Sequence, residues 1–291
     1  MGLLELSIRV LGVVAVMLVA ASLIVVGPRR LRATWTDGRQ RIRETGPAMA
    51  VLAVVLLLNS VVRDVSNDVS QLVGVRITST IFAIEGTFVA EVQSLAAPPL
   101  TGYFSFVYVY GYAFLMIFPV VAYLALEDQR PMRELVVAYI LNYGIGLICY
   151  LAFIAYGPRN FMPDLVEPLL YTNWPRSQLL TSEINRNTNV FPSLHTSLSV
   201  TVALLAYRTR DAYPAWLPVA TIGAASVAAS TMYLGIHWGV DVVAGTLLAV
   251  FCVVAARRIR LFSDRHDDAV RERFDRLAPN GWRDRLPSWR R

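Results

Sequence analysis

The chain has 291 residues, 55% of them hydrophobic and only 16% charged, with a formal net charge of +6 and a mean hydropathy of +0.49. Soluble domains carry about 25% charged residues, so a soluble globular protein is excluded. All 27 basic residues are Arg, which excludes any mechanism that needs a lysine nucleophile or a lysine phosphate ligand.

Several apolar runs approach or exceed the ~18–20 residues that cross a bilayer as a helix. Within hydrocarbon every backbone polar group needs an internal partner, which leaves helices or a closed barrel. The runs are continuous rather than alternating, so they predict helices. The expected architecture is all-α, a polytopic transmembrane helix bundle of six or seven spans. In chain order the candidates are Leu3–Val26, Pro47–Val62, Tyr103–Leu126, Leu135–Tyr156, Leu194–Tyr207, Ala215–Leu234 and Trp238–Ala256. The first is longer than a signal-peptide core, lacks a basic leader and is followed by Gly27-Pro28-Arg29-Arg30, so it reads as a retained span. Pro47–Val62 and Leu194–Tyr207 reach only about 21–24 Å at 1.5 Å per residue, so each is expected to extend into its flanks. Cys149 and Cys252 fall inside apolar runs and read as small buried hydrophobes.

Loop charge sets the expected orientation. Arg29, Arg30, Arg32, Arg39, Arg41 and Arg43 follow the first span, Arg208 and Arg210 the fifth, and Arg257, Arg258 and Arg260 open the tail. Seven spans put these segments on one side, read as cytoplasmic. The segments 63–102 and 157–193 then lie on the other. Ile77–Leu95 in the first is a candidate amphipathic helix in the interface, placed to cover a site. The chain thus divides into N-terminal spans and an interfacial segment (1–102), a membrane core (103–256) and a basic cytoplasmic tail (257–291), placed to anchor on anionic headgroups. No nucleic-acid partner is expected; the bilayer is the partner that the spans and the basic tail imply.

Two of the three histidines lie between Asn189 and Gly245. His195 opens the fifth span and His237 the seventh, and two crossings separate them, so both fall at one membrane face, the non-cytoplasmic one. His237 and Asp241 are four residues apart and share a helix face, where the carboxylate can hold the imidazole. Ionisable groups at membrane depth are functional candidates because the bilayer makes them costly. The chemistry that fits is phosphoryl transfer. His237, steadied by Asp241, attacks phosphorus, and His195 protonates the departing oxygen. The span starts offer free N–H groups and partial positive charge to a phosphoryl anion. Arg159, just outside the fourth span, and Arg186, nine residues before His195, are candidates to neutralise its oxygens.

Pro192-Ser193-Leu194-His195, followed by Ser230-Thr231, then His237 and Asp241 at fixed spacing, resembles the second and third signature motifs of the phosphatidic acid phosphatase type 2/haloperoxidase superfamily. Leu194 and Thr231 stand where that family more often has Gly and Arg. The run Ser-Thr-Met-Tyr-Leu before His237 is similar to the inositolphosphotransferase (inositol phosphorylceramide synthase) branch. The resemblance covers roughly Tyr103–Ala256. It implies His237 as nucleophile, Asp241 as its orienting partner, His195 as general acid and Ser193 as a phosphate ligand. The family's first motif, with Lys and Arg-Pro, is absent in that form. Arg130-Pro131 matches the dipeptide but falls on the cytoplasmic face, and Arg159 takes its place in this reading. The expected enzyme is a lipid phosphatase without metal or cofactor, hydrolysing a lipid phosphate or pyrophosphate monoester. The alternative is a transferase that passes the phospho-headgroup to a polyol acceptor. A metal hydrolase with His195, His237 and Asp241 as ligands and a non-catalytic lipid-binding or transport protein are the readings from other classes.

Overall fold

The computed structural model describes residues 3–175, 178 and 189–259. The chain opens with α1 (Leu3–Ala21), which runs through a π turn at Ser22–Val26 into α2 (Pro28–Val73). Beyond β1 (Val75–Arg76) come two short helices, α3 (Thr78–Glu85) and α4 (Phe88–Gln93). Helix α5 (Pro98–Phe106) continues through a second π turn at Val107–Gly111 into α6 (Tyr112–Leu124), and α7 (Arg130–Ala152) returns to β2 (Phe153–Ile154). Two short helices follow, α8 (Pro158–Phe161) and α9 (Leu169–Asn173), and then the long α10 (Leu194–Arg208), α11 (Trp216–Tyr233) and α12 (Gly239–Arg258). The strands pair in parallel with Val75 opposite Phe153 and Arg76 opposite Ile154.

The molecule is the expected all-α membrane bundle. Among the described residues four stretches are long and apolar enough to cross a membrane: Glu5–Val26, Pro98–Leu124, Arg130–Ala152 and Gly239–Arg258. Helix α10 has 15 residues, about 22 Å at 1.5 Å per residue. It carries the buried polar residues Thr196, Ser197, Ser199 and Thr201. It need not be uniformly apolar, because α7, α11 and α12 pack around it.

The expected extension into the flanks fails for the fifth span, where α10 is Leu194–Arg208, and holds for the second: α2 is one 46-residue helix with Pro47 inside it. At about 69 Å it extends beyond the ~30 Å hydrocarbon layer. The Gly46-Pro47 pair, a helix-start signal in sequence, is absorbed without ending the helix. Ile77–Leu95 is not one helix but two, broken at Gly86, whose φ of 61° is a left-handed conformation that glycine adopts without penalty. The fourth span starts at Arg130 rather than Leu135, and Glu134 in its second turn pairs with Arg208 at 3.1 Å.

The core centres on Phe118, Tyr123, Leu198, Val202 and Trp216. A polar clamp joins α7 to α10 inside it. Asn142 is fully buried; its amide donates to the Ala138 carbonyl at 2.7 Å and to Thr201 Oγ1 at 3.1 Å, and its Oδ1 accepts from the Ser197 hydroxyl. Small residues allow close approach, as in other membrane helix pairs. A Cβ at Gly146 would lie 2.6 Å from Leu194, and one at Gly245 would collide with the Ser193 carbonyl oxygen.

Gly245→Ala is therefore expected to cost about 1–3 kcal/mol through overpacking. Gly144→Ala, whose added Cβ meets nothing within 4 Å, is expected to be neutral or to stabilise by up to about 1 kcal/mol. Thermal unfolding of the two purified variants in detergent measures the difference.

Candidate active site

The starts of α10 and α12 meet. Ser193 N donates to the Asp241 carbonyl oxygen at 3.1 Å, and Gly245 lets α12 lie against the Ser193 backbone. The turn before α12 is held from several directions. Both Ile236 N and His237 N donate to the Thr231 carbonyl, at 2.9 and 3.0 Å. Gly235 has φ 69°, and a Cβ there would strike Val166 at 2.7 Å. The buried indole of Trp238 donates to the Tyr156 carbonyl at 2.9 Å.

This scaffold brings the two histidines together, with ring centroids 6.3 Å apart. Nδ1 of His237 lies 3.4 Å from Oδ2 of Asp241 and has no other partner among the described residues. Its Nε2 is thereby left on the far side of the ring from the carboxylate. Asp241 Oδ2 also accepts from Trp238 N at 2.9 Å, so one oxygen caps its own helix and faces the imidazole. His195 rests against two tyrosine rings of the expected third span, Tyr108 at 4.7 Å and Tyr112 at 4.4 Å between centroids.

Both histidines border a cavity of about 330 Å³, the lower end of the size range for small-molecule sites. Tyr112, Tyr143, Tyr150 and Asn189 border it too, and α2 contributes Leu56, Asn59 and Ser60. Among the described residues no three His, Cys, Asp or Glu side chains group as a metal site.

The remaining candidates are placed unevenly. Ser193 is fully buried and caps α10, its Oγ accepting from Thr196 N at 3.3 Å and lying 3.0 Å from Thr196 Oγ1. Its hydroxyl is engaged there and does not border the cavity. Arg159 is docked on the turn before His237, its N–H donating to the Gly235 carbonyl at 3.1 Å. Its guanidinium lies over the Tyr171 ring at 4.7 Å, with Nη2 3.3 Å from the Tyr171 hydroxyl. Its Nη1 is buried and has no partner among the described residues. Arg186, and the tail from residue 260 on, lie outside the described residues. Arg130, the rejected half of Arg130-Pro131, stands at the start of α7 beside Asp128, whereas Tyr150 of the cavity wall lies near its end.

The start of α12 does not offer the open N–H groups expected of it. At α12, Asp241 takes Trp238 N, and Glu85 takes Gly239 N and Val240 N at 2.8 and 2.9 Å. Thr231, where the family more often has Arg, turns its hydroxyl onto its own helix at the Ala228 carbonyl, 2.7 Å away. Sequence reasoning missed Glu85, the tyrosines against His195, and α2. Tyr108 and Tyr112 lie within an aromatic run from Tyr103 to Phe114, whose composition alone suits an interfacial belt. Tyr103 and Phe106 are indeed exposed, but Tyr108, Tyr110 and Phe114 are buried.

Residues 80–255 match the PAP2 superfamily, well over half of the chain, and the protein belongs to that family. A stretch of 134 residues is 29% identical to a PA-phosphatase related-family protein of Dictyostelium discoideum. That match covers 44% of this chain and 23% of the relative, so the chain spans about a quarter of the protein it resembles. No solved structure matches it.

Glu85 compensates two helix-start N–H groups and the helix dipole. Glu85→Ala is expected to lower stability by about 1–2 kcal/mol, read as a lower thermal midpoint in detergent. Glu85→Gln, which keeps an acceptor, should recover part of the loss.

Proposed function

We propose that the protein is a multi-pass membrane lipid phosphatase that works through a phospho-histidine intermediate. The observation that carries this reading is the pair of imidazoles 6.3 Å apart over one cavity, with a carboxylate behind only one of them. Near-attack contact takes about 3–3.5 Å on one side of phosphorus, and proton donation about 2.6–3.2 Å on the other. His237, oriented through Nδ1 by Asp241, attacks with Nε2. As the P–N bond forms, the P–O bond to the lipid breaks, and His195 gives the lipid oxygen its proton. Water then attacks phosphorus, His195 takes its proton, and the P–N bond opens to release phosphate.

The unpartnered Nη1 of Arg159 supports a role in holding a phosphoryl oxygen, since a buried guanidinium donor without an acceptor is costly. The Tyr171 contacts fix the rest of the group; Arg159 does not itself border the cavity, and its backbone contact with the turn before His237 is what brings it near. Ser193 enters as a positioning residue that holds the start of α10, and Arg186 stays a candidate phosphate ligand. Sidedness follows the arginines: the segments after Val26 and Tyr207 and the C-terminal tail face the cytoplasm, and the cavity opens on the other face of the cell membrane. A second reading is transfer to an alcohol in the manner of the inositolphosphotransferases. A cavity of about 330 Å³ favours it, because a water needs only about 30 Å³.

Incubation of the purified protein with a radiolabelled lipid phosphate tests the proposal. Wild type should form an acid-labile phosphoenzyme and release phosphate, with inhibition by vanadate and no loss of rate in chelator. His237→Ala should form no phosphoenzyme, and His195→Ala should turn over about 10²–10⁴-fold more slowly. Arg159→Gln should weaken kcat/KM by about tenfold, the loss of one charge-assisted hydrogen bond. Label retained on His237→Ala, or activity abolished by chelator, overturns the mechanism.

A further inference from the structure

Phosphoryl transfer asks opposite things of the two histidines. His237 has to be neutral at Nε2 to attack, whereas His195 has to carry the proton that the leaving oxygen takes. A charged imidazole at membrane depth is costly unless an opposite charge or an aromatic face stabilises it. His237 has a carboxylate, Asp241, at 3.4 Å. His195 is surrounded differently. Tyr108 and Tyr112 lie against its ring, and His237 faces it at 6.3 Å. Helix α7 brings Tyr143 and Tyr150 to the same cavity, and α2 and α11 bring no titratable group among the described residues. No carboxylate or arginine among those residues borders the cavity either. What His195 has instead is two aromatic rings. Tyr108 lies 4.7 Å away between centroids and 22° from parallel, so it presents its face, and Tyr112 lies at 4.4 Å and 43°. Both are inside the ~6 Å over which the negative face of a ring attracts a cation. Tyr108 is buried, so it belongs to the protein interior rather than to a headgroup belt. It sits in the π turn Val107–Gly111, and Tyr112 follows directly; such turns are rare and often occur at functional sites.

We propose that Tyr108 and Tyr112 are positioning residues whose ring faces hold His195 in its proton-bearing form, ready for the departing lipid oxygen. The proposal rests on the phosphoryl-transfer reading for its place in the reaction. As His237 bonds to phosphorus, the P–O bond to the lipid breaks, its electron pair stays on the lipid oxygen, and the proton moves there from His195. The rings favour the charged imidazole that exists before this step. They therefore set the fraction of protein able to donate at a given pH. Weakening them lets His195 lose its proton at lower pH, which draws the alkaline limb of the rate downward.

The experiment uses the full chain in detergent, with each tyrosine replaced by Leu, by Phe and by a trifluorinated phenylalanine. The fluorines keep the shape of the ring and withdraw the negative charge from its face, so they separate electrostatics from packing. Single-turnover formation of the phosphoenzyme is followed across pH with two substrates. A lipid phosphate leaves as an alkoxide that needs a proton, whereas p-nitrophenyl phosphate leaves as a phenolate that does not. With the lipid phosphate, the Leu and trifluorinated variants should move the alkaline limb about one pH unit lower, a roughly tenfold slower rate above it. Tyr108→Phe and Tyr112→Phe should recover most of that loss. With p-nitrophenyl phosphate the rates should be little changed. The proposal is overturned if the trifluorinated ring behaves as Phe does, or if the variants slow both substrates alike. Titration of the His195 ring by NMR in the same proteins needs no turnover, and its midpoint should fall by about one pH unit on fluorination. That fall in a wild type and variants that form no phosphoenzyme would overturn the enzyme reading and leave the ring contact standing, whereas an unmoved midpoint overturns the proposal.

Discussion

The Asp241 carboxylate holds two things in one arrangement, and the candidate site depends on both. It accepts from Trp238 N, which closes the first turn of α12, and it lies 3.4 Å from His237 Nδ1. A carboxylate with no exposure is expensive to bury unless it is paired. The same residue's carbonyl accepts from Ser193 N, two residues before His195. One residue thereby ties the imidazole of one helix start to the backbone of the other. The 6.3 Å between the rings follows from that tie and from the absence of a side chain at Gly245.

How much of this could be read from the chain depended on how local the cause was. His195, His237 and Asp241 were legible because a four-residue spacing and the two helices between the histidines, α10 and α11, are enough to bring them to one end of the bundle. The tyrosines against His195 were not, because they enter through a π turn at Val107–Gly111, and an aromatic run does not announce one. Glu85 caps α12 across 154 residues, a contact no short-range pattern encodes. Its role also depends on the break at Gly86, which splits a segment whose composition reads as one amphipathic helix. The fold shows the same division. The long apolar helices follow from hydropathy, whereas α2 runs through Pro47, a residue that usually marks a helix boundary. Arg159 reads in sequence only as a residue just outside the fourth span; neither its contact with the turn before His237 nor the buried nitrogen without a partner among the described residues could be seen there.

Burial of polar residues also separates the inner helix from the outer ones. Helix α10 keeps Thr196, Ser197, Ser199 and Thr201 inside the bundle, and Asn142 of α7 bonds to two of the four. Between helices in a bilayer such bonds and close small-residue contacts replace the hydrophobic drive available in water. They fix the rotation of α10 about its axis, which sets where His195 points.

The occupied start of α12 bears on how the cycle ends. A bare helix start retains an inorganic anion, since its N–H groups and dipole both favour negative charge. Here Glu85 and Asp241 already neutralise that end, so the start of α12 is no strong trap for phosphate. In the proposed reaction, phosphate held only by side chains departs readily, which suits a cycle whose second reactant must enter the same chamber before the next round begins.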